Sequence, residues 1–228
     1  PYLTQFLATP WYGPMPQVTV SSGGRLFKAF GFLAFKKREW PMVGKLVAVN
    51  AYNGAKLWQR DLSPGFMIHR NTMVATPDVL YLADDVSCKL IDAATGKVKD
   101  EIVPSEEMAT GKAWKWLAFD GGVLYAMLGA REQKPTVQRG RRTDPGWKYS
   151  SLGGNYPWGF GNTLLAVDPA TKKVLWYHQE TEPLDSRATC MSHGRLFSYS
   201  HGKFLFCLDV KTGKMLWKTN DAKLLAAI

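Results

Sequence analysis

Cysteine and histidine are the side chains most often used for metal binding and nucleophilic catalysis, and this chain holds few of them. The 228 residues include three cysteines and four histidines. The cysteines form neither a paired disulfide framework nor a metal-ligand cluster, and the histidines lack cysteine or carboxylate partners at metal-ligand spacing. We therefore expect no metal centre, and we expect buried free thiols because each cysteine is flanked by apolar residues. The residues concerned are Cys88, Cys190, Cys207, His69, His178, His193 and His201.

Basic side chains interleaved with aromatic ones form the most distinctive polar feature of the sequence. Residues 28–45 and residues 131–148 each carry a net charge of +4, against +10 for the whole chain. Such segments suit an acidic protein partner, anionic polysaccharide or lipid headgroups. Nucleic acid is not expected, because no readout module is present. The alternative interpretation is a pair of solvated loops whose aromatic residues pack on their own sheets. The candidate partner-binding residues are Lys36, Lys37, Arg38, Arg131, Lys134, Arg139, Arg141, Arg142 and Lys148.

Composition limits the class of protein that can carry these segments. Hydrophobic residues make up 46% of the chain, which excludes a disordered tail. The longest apolar runs are far shorter than the roughly 18 residues of a membrane span, so the chain is predicted not to be transmembrane. Frequent aromatic residues, glycine and proline favour β structure. The residues start at Pro1 and contain no signal-peptide pattern, so a leader would have been removed or would lie upstream.

A repeated motif of 12 or 13 residues organises the chain. It occupies residues 46–58, 89–100, 164–176 and 205–217, with an Asn or Asp anchor in each copy. The anchors are Asn50, Asp92, Asp168 and Asp209, at spacings of 42, 76 and 41 residues. A short apolar element precedes each anchor, and the long connections of the first and third copies both follow that element. The period is therefore about 42 residues, interrupted by insertions at one place in the unit.

Each copy of the motif predicts a β-hairpin. The Asn or Asp side chain can accept a hydrogen bond from the backbone two residues on, and the glycine four residues after the anchor supplies a positive φ. These glycines are Gly54, Gly96 and Gly213. Tryptophan follows eight residues after the anchor in three copies, as Trp58, Trp176 and Trp217. A tryptophan there can wedge between adjacent sheets and bury on the order of 150–250 Å².

The fold class that fits these units is an all-β propeller with four-stranded antiparallel blades, about four of them in this chain. A β-sandwich would lack the repeated turn and tryptophan, and helical repeats would need a 3.6-residue apolar period. The repeat predicts a lead-in or part of a preceding blade at 1–16, a blade at 17–62 with an insertion at 28–45, a blade at 63–104, a blade at 105–181 with a long insertion at 129–161, a blade at 182–220 and the start of the next blade at 221–228. The fourth unit is predicted to start with a strand at residues 187–190.

The pattern Ala-x-Asp-x-x-Thr-Gly-Lys-x-x-Trp resembles the tryptophan-docking repeat of the PQQ-like β-propellers. That superfamily includes quinoprotein alcohol dehydrogenases and the BamB-type scaffold of outer-membrane protein assembly. The resemblance implies a seven- or eight-bladed ring, of which this chain supplies part, so that the remaining blades come from the same or another polypeptide. A closed four-bladed propeller is the alternative. The resemblance also implies an extracytoplasmic location, in the periplasm or cell envelope.

The sequence departs from the repeat at two structurally important places. Asp100 stands where tryptophan is usual, which predicts a weaker or different packing in which Trp114 or Trp116 substitutes. Lys172 stands where glycine is usual, and a left-handed lysine there would cost roughly 1 kcal/mol. We predict that the turn keeps its shape and that Lys172 therefore has a positive φ.

The quinoprotein dehydrogenases imply a set of cofactor residues that this chain matches poorly. Those enzymes hold the quinone PQQ beneath a vicinal disulfide and against a tryptophan, with a Ca²⁺ ion and a catalytic Asp. No Cys-Cys pair exists here. By resemblance, Asn155 and Trp158 are weak candidates for cofactor binding, and Asp185 is a weak candidate for the catalytic base. The alternatives are a turn residue at Asn155 and a solvated loop carboxylate or turn former at Asp185.

These observations favour a non-catalytic interaction or scaffold module in the cell envelope that binds no cofactor. The repeat is intact, the cofactor set is incomplete, and both basic insertions are expected on one face. The alternative is a PQQ- and Ca²⁺-dependent dehydrogenase, or a degenerate relative of one, whose cofactor site lies partly outside this chain.

Overall fold

Four four-stranded antiparallel sheets make up the computed structural model, which describes residues 17–30, 44–63, 71–108, 111–131 and 159–225. The strands of each sheet follow one another in chain order. The first sheet contains β1 (Gln17–Ser22), β2 (Arg25–Phe30), β3 (Lys45–Asn50) and β4 (Lys56–Asp61). The second contains β5 (Met73–Ala75), β6 (Val79–Ala83), β7 (Cys88–Asp92) and β8 (Val98–Ile102). The third contains β9 (Ala113–Asp120), β10 (Val123–Gly129), β11 (Phe160–Val167) and β12 (Val174–Asp185). The fourth contains β13 (Cys190–Ser192), β14 (Arg195–Ser200), β15 (Phe204–Asp209) and β16 (Met215–Thr219).

This architecture confirms the predicted fold class, because each sheet has the strand number and up-and-down order of a propeller blade. The insertions of the first and third sheets both follow the second strand, between β2 and β3 and between β10 and β11. Short 3₁₀ turns at Glu106–Met108 and Ser186–Ala188 and one helical turn, α1 (Ala222–Leu225), complete the described elements. No helix in the described part of the chain is long and apolar enough to cross a membrane.

The hairpin turns between the third and fourth strands of each sheet form through the anchor side chains. Asp92 Oδ1 accepts hydrogen bonds from the backbone N–H groups of Ala94 at 3.1 Å and Thr95 at 2.8 Å, and from the Thr95 hydroxyl at 2.9 Å. The Gly96 N–H donates to the Asp92 carbonyl at 2.9 Å. Asp209 makes the same set of bonds with Lys211 and Thr212. A local side-chain bond therefore sets the register of each hairpin.

The predicted shape of the turn at Lys172 is confirmed. Its φ is 59°, close to the 74° of Gly96 and the 67° of Gly213 at the same position of their turns. The anchor Asp168 still bonds the Ala170 N–H and the Thr171 hydroxyl, at 2.9 and 2.7 Å. The turn therefore retains its geometry with a lysine in the left-handed region.

One local difference from the predicted strands has a physical cause. The strand predicted at residues 187–190 starts instead at Cys190, because Asp185 caps a 3₁₀ turn over Ser186–Ala188 by accepting a bond from the Arg187 N–H. Beyond the fourth sheet, the helical turn α1 is capped by the Asp221 side chain, which accepts bonds from the N–H groups of Lys223 and Leu224.

The described residues divide into two compact units, one of residues 17–30, 44–63 and 71–101 and the other of residues 102–108, 111–131 and 159–225. Each unit has a hydrophobic cluster of its own. In the first, Phe27, Leu46, Leu80 and Ile91 are completely buried between the first and second sheets. In the second, buried residues of the third and fourth sheets pack together, among them Trp116, Met127, Leu164 and Phe206. Burial between neighbouring sheets thus supplies the core that a single sheet lacks.

Candidate functional site

The fourth strand of the first sheet contacts the second sheet through Trp58. Its indole Nε1 donates a hydrogen bond to the Ala93 carbonyl at 3.0 Å. A Cβ added to Gly96 would lie 2.7 Å from the indole ring, so only glycine leaves room for the tryptophan. Arg60 adds a bond from Nη1 to the Gly96 carbonyl at 2.9 Å. The repeated tryptophan therefore contacts the turn of the following sheet in two ways. Its ring packs closely on the glycine, and its indole N–H donates one hydrogen bond.

Trp176 makes the same contact in the second unit. Its Nε1 donates to the Val210 carbonyl at 2.8 Å, and a Cβ added to Gly213 would lie 2.5 Å from its ring. Trp176 is 9% exposed and its ring centroid lies 6.1 Å from that of Tyr125. Ala93 and Val210 both follow their anchor residues directly. The acceptor carbonyl and the glycine thus occupy equivalent positions in both turns.

Asp185, the candidate catalytic base, lies at the end of β12 and is largely buried. Its Oδ1 accepts bonds from the Arg187 backbone N–H at 2.9 Å and from Arg187 Nε at 2.8 Å, and its Oδ2 accepts from Arg187 Nη2 at 2.6 Å. The guanidinium also lies 5.5 Å from the centroid of the Phe160 ring. Donating hydrogen bonds to the Asp185 carboxylate raises the pKa of Arg187 above its ordinary value. This carboxylate serves as a turn cap and ion-pair partner.

The remaining cofactor candidates, Asn155 and Trp158, lie outside the described residues. Of the candidate partner-binding residues, the structure describes Arg131, which is exposed just after β10. The others lie outside the described ranges, and they are Lys36, Lys37, Arg38, Lys134, Arg139, Arg141, Arg142 and Lys148. The structure therefore does not bring the candidate site residues together in one described site. Within the described ranges, no group of three or more His, Cys, Asp or Glu side chains could hold a metal ion.

A cluster of histidine, glutamate and lysine joins the third and fourth sheets. The sequence motifs did not predict this cluster. Glu180 on β12 bonds His178 Nε2 at 2.9 Å and Lys218 Nζ of β16 at 2.7 Å. Lys218 Nζ also lies 3.7 Å from the Phe204 ring centroid. Burial alone would raise the pKa of Glu180, but the hydrogen bonds from Lys218 and His178 outweigh burial and hold that pKa below its ordinary value. The alternation of His178 and Glu180 along one strand was the available signal, because such residues share a face.

A second buried charge cluster lies at the turn between β6 and β7. Asp84 is 3% exposed, and its Oδ1 accepts bonds from the N–H groups of Val86 and Ser87. Its Oδ2 pairs with Lys89 Nζ at 2.5 Å. The Ser87 hydroxyl continues the network to Glu101 at 2.9 Å. These pairings satisfy the buried carboxylate and give the cluster a structural role in the turn.

The cysteines differ in exposure. Cys88 and Cys207 are completely buried free thiols, as predicted, and burial raises the pKa of each. Cys190 is also a free thiol, but it is only partly buried in the short strand β13, so the predicted burial is wrong for this cysteine. The two buried thiols are therefore poor nucleophiles.

Comparison with protein families supports the predicted resemblance to PQQ-like repeats. The model of the family described as outer membrane protein assembly factor BamB matches residues 161–227, a segment that includes the fourth sheet. The quinoprotein alcohol dehydrogenase PedE of Pseudomonas putida is 39% identical over 56 residues, which cover 25% of this chain and 9% of that protein.

Solved structures show the same fold. BamB from Moraxella catarrhalis superposes with a TM-score of 0.51 at 13% identity, covering 89% of this chain and 48% of BamB. A europium-containing methanol dehydrogenase gives a TM-score of 0.53 at 14% identity, covering 89% of this chain and 41% of the enzyme. This chain therefore spans less than half the length of each relative. The matches include both a BamB protein and dehydrogenases, so they support the repeat family without distinguishing the two activities.

Proposed function

Because the chain carries PQQ-like propeller repeats, we propose that it is a non-catalytic interaction or scaffold module of the cell envelope. The observation that supports this proposal is the set of hydrogen bonds that the Asp185 carboxylate accepts. Its carboxylate caps a turn and forms a fork with Arg187, with three bonds between 2.6 and 2.9 Å. A general base must be able to reach a substrate proton, and this carboxylate is already engaged by a guanidinium two residues away. The intact turns and docked tryptophans, in contrast, are what a scaffold needs.

The two basic insertions are the proposed partner-binding surface. They carry most of the excess positive charge of the chain, and each follows the second strand of its sheet. Clustered lysine and arginine beside aromatic residues favour an acidic protein partner or an anionic polysaccharide or lipid surface. The proposal places this binding outside the cytoplasm, and it assigns the remaining propeller blades to the same or another polypeptide.

The second candidate function is a PQQ- and Ca²⁺-dependent dehydrogenase, or a degenerate relative, whose cofactor site lies partly outside this chain. The match to the dehydrogenase PedE favours it. Titrating the protein with PQQ and Ca²⁺ while recording the quinone absorbance tests both functions. The scaffold proposal predicts no saturable binding, whereas stoichiometric uptake of PQQ would overturn it. Asp185→Asn serves as a matched variant, because it would weaken uptake only if this residue contributes to a cofactor site.

The insertions are tested by replacing Arg139, Arg141 and Arg142 together with alanine. Binding to immobilised heparin and to anionic phospholipid vesicles should weaken at least about tenfold, because three cations are removed from one segment. A matched control replaces Lys97, Lys211 and Lys214 in the hairpin turns, which changes the net charge equally. Equal losses in both triple variants would show that binding follows net charge and not the insertion.

A further inference from the structure

The outer strand of the third sheet is longer than the outer strands of the other sheets. β12 contains 12 residues, whereas β4, β8 and β16 contain six, five and five. It forms one edge of its sheet, and no described strand pairs with the side that faces away from β11. The backbone N–H and C=O groups on that side are the kind of template on which another strand can pair.

Edge strands are usually protected from such pairing by charged side chains, and the first half of β12 lacks them. Val174–Gln179 contains no lysine, arginine, aspartate or glutamate. Each of the other outer strands contains at least one. These are Lys56, Arg60 and Asp61 of β4, Lys99, Asp100 and Glu101 of β8, and Lys218 of β16. The pairing of β12 with β11 is regular over Trp176–Gln179, so this part of the edge is not protected by a bulge either.

Tyr177 distinguishes this edge from the edges of the other sheets. It lies nine residues after the anchor Asp168, and the other copies have polar residues at that position, Gln59, Glu101 and Lys218. Tyr177 is 54% exposed, and Leu175 on the same face of β12 is 47% exposed. An open groove of about 530 Å³ lies beside these two side chains and is also lined by Ser105, Glu107 and Met108. The edge therefore presents uncovered apolar and aromatic side chains of the kind found in interface cores.

The charges at the two ends of β12 are opposite. Lys172 and Lys173 directly precede the strand, and Glu180 and Glu182 lie toward its other end. Two antiparallel copies of the strand place the basic end of each beside the acidic end of the other, whereas two parallel copies would place like charges together. Opposite charges across neighbouring strands stabilise their pairing, and like charges destabilise it. β12 is therefore complementary in charge to a second, antiparallel β12.

We propose that two copies of this chain associate by antiparallel pairing of their β12 edges. The two third sheets then form one continuous sheet of eight strands. Each copy contributes the same surface, so the contact is isologous, and its two-fold axis passes near Tyr177. The Tyr177 side chains of the two copies lie side by side, and Lys173 of each copy lies near Glu182 of the other. The interface uses no residue of the basic insertions, so this inference does not depend on the proposed partner binding.

Sedimentation velocity over about 1–100 µM protein tests the proposal. We expect a reversible dimer that Tyr177→Lys weakens by at least about 30-fold, because an aromatic anchor is lost from each copy and two like charges meet near the two-fold axis. Gln59→Lys is the matched control, since it makes the same change of charge at the equivalent position of the first sheet, and it should weaken the dimer by less than about threefold. A protein that stays monomeric at about 100 µM, or equal effects of the two variants, would overturn the proposal.

Amide hydrogen exchange locates the interface within the dimer. Pairing of the two β12 edges gives hydrogen-bond partners to N–H groups that otherwise exchange with solvent. We expect exchange in the segment Val174–Gln179 to slow severalfold as the protein concentration rises from about 1 to 100 µM. The outer strands β4 and β16 are internal controls and should exchange at the same rate at both concentrations. A dimer in which β12 exchanges no more slowly than in the monomer would contradict pairing at this edge.

Charge reversal tests the antiparallel direction. Lys173→Glu makes both ends of β12 acidic and Glu182→Lys makes both ends basic, so each variant alone should dimerise about tenfold more weakly. Glu182 is chosen because Glu180 is already bonded by His178 and Lys218. We expect a mixture of the two variants to form heterodimers, and the double variant to dimerise as the unmodified protein does. A double variant weaker than both single variants would show that Lys173 and Glu182 do not face each other across the interface.

Discussion

Lys172 has the backbone conformation that glycine has in the equivalent hairpin turns. Its φ of 59° compares with 73° at Gly54 and 74° at Gly96. A side chain in this region brings its Cβ close to the following carbonyl, which costs about 1–2 kcal/mol for residues other than glycine. The Asp168 side chain nevertheless holds the turn by bonding Ala170 and Thr171. The turn thus accommodates a lysine in the left-handed conformation while the anchor side chain keeps its hydrogen bonds.

Replacing Lys172 with glycine should stabilise the protein by about 1 kcal/mol, because the strain of the left-handed lysine is relieved. The midpoint of urea unfolding measures the change. Lys173→Gly is the control, since Lys173 lies next in sequence and has no positive φ. Destabilisation by Lys172→Gly would show that the lysine side chain contributes more than its backbone conformation costs.

Each docked tryptophan links one sheet to the hairpin turn of the next sheet. Trp58 and Trp176 lie on the outer strands β4 and β12, while their hydrogen-bond acceptors lie in the hairpin turns that follow β7 and β15. The second unit adds an ionic contact, since Glu180 of β12 bonds Lys218 of β16. The third and fourth sheets are therefore held together by an aromatic and a charged contact.

Truncating Trp176 to alanine should destabilise the protein by about 3–5 kcal/mol, the usual cost of deleting a large buried aromatic side chain. Trp176→Phe should cost less, since it retains most of the apolar volume and loses the bond to the Val210 carbonyl. Chemical unfolding followed by circular dichroism measures both changes. Trp217→Ala is the matched control, and it should cost clearly less, because Trp217 is 40% exposed.

The cluster around Glu180 should make the contact between the third and fourth sheets sensitive to acid. The folded-state pKa of Glu180 lies below its ordinary value of 4.5. Its contribution to stability is therefore complete above the unfolded-state pKa and is lost as the pH falls through the folded-state pKa. Glu180→Gln should be less stable than the unmodified protein at pH 7, and the difference should shrink below about pH 4.5.

Urea unfolding midpoints at several pH values between 7 and 3 measure this difference. The titratable groups that accompany Glu180 are His178 and Glu182 on the same face of β12 and Lys218 on β16. Glu182→Gln is therefore the control on the same strand. A stability difference for Glu180→Gln that does not change with pH would show that shape, and not charge, holds this contact.

At the scale of the whole molecule, charge is unevenly distributed along the chain. The net charge is +10, and residues 28–45 and 131–148 each contribute +4. In the hairpin turns, by contrast, acidic anchors accompany the lysines. Asp92 forms an ion pair with Lys99 at 2.6 Å, and the hydrogen bonds from Lys99 and Thr95 hold its pKa well below the ordinary range. The rest of the chain therefore has a small net charge, and most of the long-range electrostatic potential is expected to come from the insertions.

Association with an acidic partner should therefore depend on ionic strength. Raising the salt concentration from about 50 to 300 mM shortens the Debye length about 2.5-fold and should slow association with heparin by about tenfold or more. Surface plasmon resonance measures the rates. In the variant that lacks Arg139, Arg141 and Arg142, the association rate should depend less steeply on salt concentration. An unchanged salt dependence would show that charges outside this insertion attract the partner.

The sequence predicts the sheets of this molecule far better than its contacts between sheets. The hairpins were predictable because their cause is local, as when Asp92 bonds residues two and three positions away. The fourth sheet starts later than predicted. Asp185 caps a 3₁₀ turn by bonding Arg187, and this turn occupies residues that were predicted to begin a strand. The bond between Glu180 and Lys218 joins residues 38 positions apart, and it depends on how two sheets pack. The candidate cofactor residues Asn155 and Trp158 lie outside the described ranges and stay predictions.

Docking across sheets has a consequence for how genes of this kind change length. Trp58 meets the turn of the following copy, not its own, and Trp176 does the same. If the first or fourth copy, which carries both the tryptophan and the glycine, is duplicated in frame, the tryptophan on one side of the junction again faces a glycine turn on the other side. The new boundary then has the same hydrogen bond and the same cavity for the indole as the old one. Blade number can thus change by a single recombination event without a new interface having to evolve, whereas partial periods would leave a tryptophan facing a side chain.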